Sequence, residues 1–320
     1  MKKKIMFWLK VVGVFCLVIG FLFGVVMPQY TESFNAAILD KVARLESMEG
    51  PKIVLIGNSN IVFGMDSQRL EEAFEMPVVN MGLHGALGNA FHEEMAKLNV
   101  QPGDLYIVCH TEYDDNDTIL DPSLAWLTIE NHLGLWRLIR PKDMWTMVDS
   151  YTTYLQKALM LWTEGMGNQA DEAMYARRDF NIYGDNVYPR ERRDEAVILP
   201  FEEQTVPPIG DICVNRLNAL NAELTGKGAT LLIAGYPIAN GEHTPLVSEY
   251  EAFGEELSAR LDAPVISYFS DYMIDYDQFY DTIYHLTAIG VQERTAQLIE
   301  DIRFWLETGK DVYEPGQTHE

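Results

Sequence analysis

Apolar and polar positions divide the chain into an N-terminal apolar run and a longer region of alternating pattern. Lysines open the chain, and the run that follows extends from Ile5 to Met27 with Lys10 as its one charged residue. The part after Lys10 is near the shortest helix that spans a hydrocarbon layer of about 30 Å, and the apolar residues before it add length if the lysine snorkels. We therefore expect a transmembrane helix over residues 5–28, a basic cytoplasmic stub at 1–4, and everything after Pro28 outside the cytoplasm.

A cleaved signal peptide is the alternative interpretation of this run. The residues that follow it, at 25–30, offer no A-x-A cleavage site. Cys16 is preceded by Phe15, where a lipoprotein site needs a small residue. We expect an uncleaved anchor and a single-pass protein of the cell membrane.

The region after the anchor has the pattern of an α/β domain. Residues 29–49 are polar with apolar positions at helical spacing and predict a stalk helix. Short apolar runs bounded by Gly, Pro or Asn predict strands at 53–56, 77–79, 105–109, 230–234 and 264–267. Amphipathic stretches between them predict helices at 67–75, 86–99, 143–164, 211–225, 246–260 and 287–307. This alternation is typical of strands buried on both faces, so we expect a three-layer α/β fold with a central parallel sheet of about five strands over residues 50–310.

Three segments are less regular. Residues 165–206 are polar and rich in Arg and Asp, and a loop of this length is usually functional or disordered, so we expect an insertion near the site. The aromatic-rich helix at 143–164 is either core or a lid. Residues 311–320 form a polar tail.

Composition and charge exclude several classes of function. The 320 residues are 48% hydrophobic and 22% charged, which indicates a globular fold, and the net charge of -24 repels phosphate backbones, so no nucleic-acid partner is expected. Three scattered cysteines form neither a disulfide framework nor a zinc site. Metal-binding spacing is also lacking among the candidate ligands His84, His92, Glu93, His110 and Glu112 and in the acidic run 114–117. We expect no metal and no cofactor.

Ser59 is the first candidate for chemistry. The first predicted strand leads directly into Gly57-Asn58-Ser59-Asn60. A side chain just past the carboxyl end of a central strand lies where open α/β sheets bind ligands. The alternative is that Asn58 and Ser59 only shape a turn.

A second candidate segment follows the next strand, at Asn80-Met81-Gly82-Leu83-His84-Gly85. Glycines at such a turn let backbone N–H groups approach a ligand closely, as an oxyanion hole requires. Gly82 is the first candidate donor, and the alternative is an ordinary glycine-rich turn.

The third candidate segment precedes the last predicted helix and contains Asp281 and His285. A histidine there can take the proton of a serine while a nearby carboxylate orients its ring. Other acids compete for that role, namely Asp271, Asp275 and Asp277. A lone histidine at a helix start is commonly a capping residue, so the combination of the three segments carries the hypothesis.

Taken together, these segments resemble the blocks of the SGNH, or GDSL-type, hydrolase superfamily over about residues 51–307. The resemblance implies a flavodoxin-like fold, Ser59 as nucleophile, and Asp281 with His285 as its acid and base. It also implies an oxyanion hole made by the Ser59 and Gly82 N–H groups.

The chain departs from the superfamily pattern at two points. The pair is usually spaced Asp-x-x-His, but here Asp281 precedes His285 by four and Thr282 occupies the usual place. The third-block Asn, an oxyanion donor, has no clear counterpart, and Glu112 cannot donate when ionised. Asn80 or a backbone group of the 110–117 loop is the substitute that we expect.

The anchored layout is similar to DltD-like and polysaccharide O-acyltransferase-like branches of the superfamily. This resemblance implies a serine esterase or O-acyltransferase that acts on ester-linked acyl groups of cell-wall or secreted polysaccharide. A carbohydrate or acylated glycan is then the substrate, and a membrane-bound O-acyltransferase is the expected partner. The alternative is a non-catalytic accessory or glycan-binding protein of a cell-surface acylation complex. The residues that we expect to line the substrate site are Asn58, Asn60, His84, Glu112, Asn181 and Asp185.

Overall fold

The fold is given by a computed structural model that describes residues 2–130, 132–169, 174–191, 204–241 and 244–314. The chain forms two compact units, one of Met1–Ala36 with Leu120–Arg178 and one of Ala37–Ile119 with Asp179–Glu320. We call these the N-terminal unit and the α/β unit. Parts of the insertion at 165–206 and of the tail at 311–320 lie outside the described residues.

The N-terminal unit begins with the predicted apolar helix. Helix α1 (Lys2–Phe21) continues as a π-helical turn at Leu22–Val26, and together they make a helix of 25 residues. It is long and apolar enough to cross a membrane, and none of the residues of α1 is buried against protein. A helix that is apolar all round and unburied has the properties of a membrane span.

The rest of the N-terminal unit packs where the apolar helix ends. The aromatic ring of Trp126 stacks on Tyr154 with 5.7 Å between ring centroids. The Tyr154 hydroxyl lies within hydrogen-bonding distance of the Glu130 carboxyl group and the Met27 carbonyl, and the Tyr30 N–H donates to Glu130 over 2.8 Å. Burial raises the pKa of Glu130 to about 7.

The α/β unit is built on a four-stranded parallel sheet with the order β2-β1-β3-β4. Its strands are β1 (Ile53–Ile56), β2 (Val78–Asn80), β3 (Leu105–Val108) and β4 (Thr230–Ile233). In this register Ile53 pairs with Val78 on one side and with Leu105 on the other. The carboxyl ends of all four strands therefore lie at one edge of the sheet.

Both faces of the sheet are covered. Alternate strand residues such as Ile53, Leu55 and Ile107 pack with residues of the last helix, including Leu298 and Ile302. The intervening residues, among them Val54, Tyr106 and Val108, are also fully buried. Burial of both alternating sets explains why each strand is a continuous apolar run.

Most predicted elements of the α/β unit are present within a few residues. Its helices are α2 (Ile38–Ser47), α3 (Ser59–Val62), α4 (Ser67–Phe74), α5 (Asn89–Ala96), α8 (Asp211–Gly226), α9 (Val247–Arg260) and α10 (Ala288–Thr308). The longer helices of the N-terminal unit are α6 (Pro122–Ile129) and α7 (Met144–Glu164). Helix α2 lies in the stretch expected as a stalk, and its Ile38 and Leu45 are fully buried.

The predicted strand at 264–267 is not a full strand of the sheet. Residues 264–267 make a single parallel bridge, between Val265 and Ile233, and the sheet has four strands rather than five. The ladder cannot extend toward the start of this segment, because the next bond to β4 would need an N–H from Pro264, which has none. The Val265 N–H and carbonyl face away from β4, where they bond to Asp311 and to the Val312 N–H. A two-stranded parallel sheet that the sequence pattern does not predict pairs β5 (Ile238–Asn240) with β6 (Met273–Asp275).

Candidate active site

Ser59 is the first residue of α3, two residues after Gly57 and just past the carboxyl end of β1. The chain must turn sharply here, and a Cβ atom on Gly57 would lie 3.1 Å from the Cys109 carbonyl oxygen. Asn58 caps the turn because its side-chain oxygen accepts from the Asn60 N–H over 2.9 Å. The serine side chain therefore lies at the carboxyl edge of the sheet, at the end of β1, which pairs with β2 on one side and with β3 on the other.

The structure brings Ser59, His285 and Asp281 together in one hydrogen-bonded chain. Ser59 Oγ lies 2.9 Å from His285 Nε2, and His285 Nδ1 lies 2.9 Å from Asp281 Oδ1. The histidine is 6% exposed, and the serine is partly exposed. With Asp281 ionised, Nδ1–H donates to the carboxylate, and the Nε2 lone pair is the acceptor for the serine proton.

A tight loop explains how a spacing of four residues delivers this geometry. Phe279 and Leu286 form an antiparallel bridge, and the Tyr280 N–H donates to the His285 carbonyl over 2.8 Å. Inside the loop, the Thr282 hydroxyl accepts from the His285 N–H over 3.1 Å. Thr282 thus closes the turn, and the carboxylate that meets the imidazole comes from the residue before it.

Two side chains that the sequence patterns do not single out surround the histidine. The centroids of the Phe63 and His285 rings lie 4.2 Å apart. The Arg190 guanidinium lies over the same Phe63 ring, 5.0 Å from its centroid. Arg190 Nε also donates to the Leu286 carbonyl over 3.0 Å. Burial lowers the pKa of His285 below its ordinary value. The carboxylate of Asp281 partly offsets this lowering, and the positive charge of Arg190 adds to it.

Backbone N–H groups near Ser59 are the donors available to an oxyanion. In the described part of the chain, the Ser59 N–H at the start of α3 has no acceptor. Gly82 is packed so closely that a Cβ atom would lie 2.7 Å from the Asn58 carbonyl oxygen. Its N–H donates to the Asn80 side-chain oxygen over 3.0 Å. The Ser59 N–H is therefore open to a ligand, whereas the Gly82 N–H is shared with Asn80.

Asn80 does not serve as the side-chain donor that we expected. Its two amide hydrogens are directed to the Ile61 carbonyl at 2.7 Å and to Asp185 Oδ1 at 2.9 Å. Since both are used inside the protein, Asn80 orients Gly82 and α3 rather than a ligand. Asn58 Nδ2 donates one hydrogen to Thr111 over 2.8 Å and has no second acceptor among the described residues, so it is the nearer amide candidate.

Asp185 does not face Ser59 but lies at the centre of a buried network of hydrogen bonds, which we call the clamp. Its carboxylate accepts from the Ser67 N–H and hydroxyl, from Asn80 and, over 3.3 Å, from Asn181. Burial raises its pKa. The same clamp includes Lys41, whose Nζ donates to the carbonyl groups of Asn80 and Gly184 and whose pKa burial lowers to about 7.

This clamp gives the segment 180–190 a structural role. The Asn80 N–H donates to the Tyr183 carbonyl over 2.8 Å, and the Asn186 N–H donates to the Val62 carbonyl over 2.9 Å. The segment therefore holds the end of β2 and the end of α3. Asn181 and Asp185 do line a surface cavity of about 410 Å³, but its described lining includes neither Ser59 nor His285.

Asn60 is likewise structural. Its amide donates to Asn58 and to the Cys109 carbonyl, and its own oxygen accepts from Arg294 over 2.7 Å. Arg294 is 1% exposed and also donates to the Asn60 backbone carbonyl over 2.7 Å. A buried guanidinium on α10 thus fixes the turn that carries Ser59. Hydrophobic periodicity gives no signal for such a residue.

His84 and Glu112 lie at the rim of this region. His84 is exposed, and its Nδ1 accepts from the Ala86 N–H over 3.1 Å. Glu112 lines a cavity of about 200 Å³, and burial together with Asp114 raises its pKa. The remaining lining includes Thr111, Tyr236, Tyr250, Ile283 and Tyr284. Two lining residues connect this cavity to the site: Thr111 accepts a hydrogen bond from Asn58, and Tyr284 immediately precedes His285.

Of the residues considered as metal ligands, two form an ion-paired cluster. His110 Nε2 lies 3.0 Å from Glu93, and Arg216 Nε donates to Glu93 over 2.9 Å. No group of three or more potential ligands arranged for a metal ion occurs in the described ranges.

Comparison of the chain with known protein families, with curated proteins and with solved structures found no match.

Proposed function

We propose that this protein is an SGNH-type serine esterase or O-acyltransferase, anchored in the cell membrane with its α/β unit outside the cytoplasm. The observation that carries the proposal is the chain of two 2.9 Å contacts from Ser59 through His285 to Asp281. A nucleophile, a base and an orienting acid in this order are what acyl transfer through an acyl-enzyme requires.

The reaction follows from the donors and acceptors present. Ser59 Oγ attacks the carbonyl carbon of an ester while His285 Nε2 takes its proton, and Asp281 stabilises the imidazolium that forms. The Ser59 N–H, with the Gly82 N–H or the Asn58 amide, steadies the oxyanion. His285 then returns its proton to the leaving alcohol, and the acyl group stays on Ser59. Water or a sugar hydroxyl, deprotonated by His285, releases it.

The order of elements supports membership of the SGNH superfamily. The nucleophile follows β1, the glycine turn follows β2, and the Asp281–His285 pair precedes α10. The sheet order β2-β1-β3-β4 is the flavodoxin-like order over these strands. Val265, which bridges to Ile233 beyond β4, lies at the position of a fifth strand.

The surroundings of the site favour a carbohydrate acceptor. The cavity of about 200 Å³ beside the site presents three tyrosine side chains and Glu112, which combine flat apolar surface with hydroxyl and carboxyl groups. An anchor that keeps the enzyme at the membrane suits transfer to a cell-wall or secreted polysaccharide, with a membrane-bound O-acyltransferase as the partner that supplies acyl groups.

A fluorophosphonate probe tests the proposal, because it reacts covalently with an activated serine. We expect labelling of the wild-type protein and its loss in Ser59→Ala and His285→Ala. Ser248→Ala is the matched control, since Ser248 is an exposed serine on α9, and it should label as the wild type does.

Absence of labelling in folded wild-type protein would favour the second candidate, a non-catalytic accessory protein that binds glycan in an acylation complex. One observation supports that alternative: the Gly82 N–H already has an acceptor in Asn80. An occupied donor must exchange partners before it can serve an oxyanion.

A further inference from the structure

Helix α7 of the N-terminal unit carries an apolar stripe that is largely exposed within the described part of that unit. The buried side of α7 presents Met147, Tyr154 and Ala158 to the rest of the unit. A different side presents the residues that we call the apolar stripe: Trp145, Val148, Leu155, Leu159 and Trp162. They recur at spacings of three and four with Thr152 among them, and so share one helix face.

The stripe is open and uncharged. Trp145 is 78% exposed, Val148 57% and Leu159 42%. Charged side chains lie on a third side of the helix, among them Lys157 and Glu164. A helix with one face in protein, one apolar face in the open and one polar face has the distribution of an interfacial helix.

Contacts with the apolar N-terminal helix show where the stripe lies along that helix. The Trp162 ring meets Phe21 edge-on with 5.5 Å between centroids, and the Tyr151 ring stacks on Phe23 at 6.1 Å. Phe21 precedes Val26, the end of the apolar helix, by five residues, which is about 7 Å along the axis. The C-terminal half of α7 therefore lies at the level of the last turns of α1.

We infer that α7 lies in the outer interface of the lipid bilayer, with the apolar stripe facing the acyl chains that surround α1. The inference rests on the membrane anchor of the proposed function and goes beyond it, because it gives the protein a second membrane contact. Tryptophans at both ends of the stripe suit this depth, since their rings combine an apolar body with an N–H donor. Leu159 and Trp162 lie in the acyl-chain region, and Lys157 lies on the aqueous side.

Nitroxide labels on single cysteines test this inference in the full-length protein, reconstituted in nanodiscs of phosphatidylcholine and phosphatidylglycerol. The chain offers a convenient background, because Cys109 and Cys213 are buried and Cys16 on α1 is exposed. Leu159→Cys in a Cys16→Ser background probes the stripe, and Lys157→Cys in the same background is the matched control, two residues away and about 160° around the helix. Native Cys16 reports on α1.

Collision of the labels with oxygen, which partitions into lipid, and with a water-soluble nickel chelate gives the outcome. We expect the label at 159 to meet oxygen several-fold more than nickel, the label at 157 to show the reverse, and the label at 16 to report lipid. Equal aqueous accessibility at 159 and 157, with lipid at 16, would overturn the inference and leave the anchor intact. A label at 159 shielded from both reagents would also overturn it, in favour of a covering protein. An aqueous label at 16 would refute the anchor itself.

Discussion

His285 is surrounded so that its imidazole is neutral when it meets the Ser59 hydroxyl. Burial favours the uncharged ring, while Asp281 at 2.9 Å opposes that effect and fixes the tautomer. The residue types and positions of Ser59 and His285 could be predicted from the sequence, because each follows or precedes a recognisable element. The role of Asp281 could not be fixed, since it depends on the bonds of Thr282 within the loop.

Replacing Asp281 by Asn separates these effects. We expect a loss of about four orders of magnitude in the rate of ester cleavage, because an amide no longer holds the productive tautomer. The wild-type rate should rise with pH through a pKa lower than the ordinary value of 6.5 and then stay level, because only neutral His285 accepts the proton. In Asp281→Asn this rise should move to still lower pH, since the carboxylate is what raises the pKa.

The measurement is the pH–rate profile for p-nitrophenyl acetate. Asp277→Asn is the control, because Asp277 is exposed in the same region; its profile should match that of the wild type. A rise displaced to higher pH in Asp281→Asn, or a loss smaller than tenfold, would contradict the assignment.

Among the elements, the turns that follow β1 and β2 approach so closely that a side chain at position 82 has no room. Gly82 lies against the Asn58 carbonyl, and Asn80 is fixed by Asp185 and by the Lys41 ammonium group behind it. The strands and the glycine turn could be predicted from apolar runs and glycine positions. The buried polar clamp could not, because its partners come from distant parts of the chain and have no shared spacing.

Gly82→Ala tests this close approach. The added methyl carbon would lie 2.6 Å from an Ile61 side-chain carbon and 2.7 Å from the Asn58 carbonyl oxygen, so backbone must shift. We expect a stability loss of about 1–3 kcal/mol in urea unfolding and a loss of fluorophosphonate labelling of about tenfold or more, since the donors around Ser59 move.

Gly226→Ala provides the comparison, because no atom lies within 4 Å of its added carbon. That variant should be as stable as the wild type to within about 1 kcal/mol and should label normally. Full labelling of a folded Gly82→Ala protein would show that the position of this turn does not matter to the serine.

At the scale of the whole molecule, the apolar helix and the α/β class were predictable because both depend on long, regular patterns. The number of strands was not, because an apolar run does not show how far it pairs, and 264–267 pairs with β4 at Val265 alone, next to a proline with no N–H to extend the ladder. Hydrophobic periodicity also could not predict that Leu120–Arg178 forms one unit with the N-terminal segment. An amphipathic pattern indicates that a helix has a buried face and does not identify its partner.

The anchor and α7 together give the proposal a consequence for substrates. A protein held at the membrane by α1 and by the apolar stripe would act on polymers and acyl donors that are themselves close to the bilayer. The chemistry still depends on one residue, because every step of acyl transfer passes through Ser59.

The most direct measurement is therefore to trap the acyl-enzyme. Full-length protein is mixed with p-nitrophenyl acetate, quenched in acid and mapped by peptide mass spectrometry, with nitrophenol release followed in parallel. The account predicts a burst of nitrophenol and an acetyl group on Ser59, both lost in Ser59→Ala and retained in Ser248→Ala. A folded wild-type protein that gives no burst, or that carries its acetyl group on another residue, would contradict it.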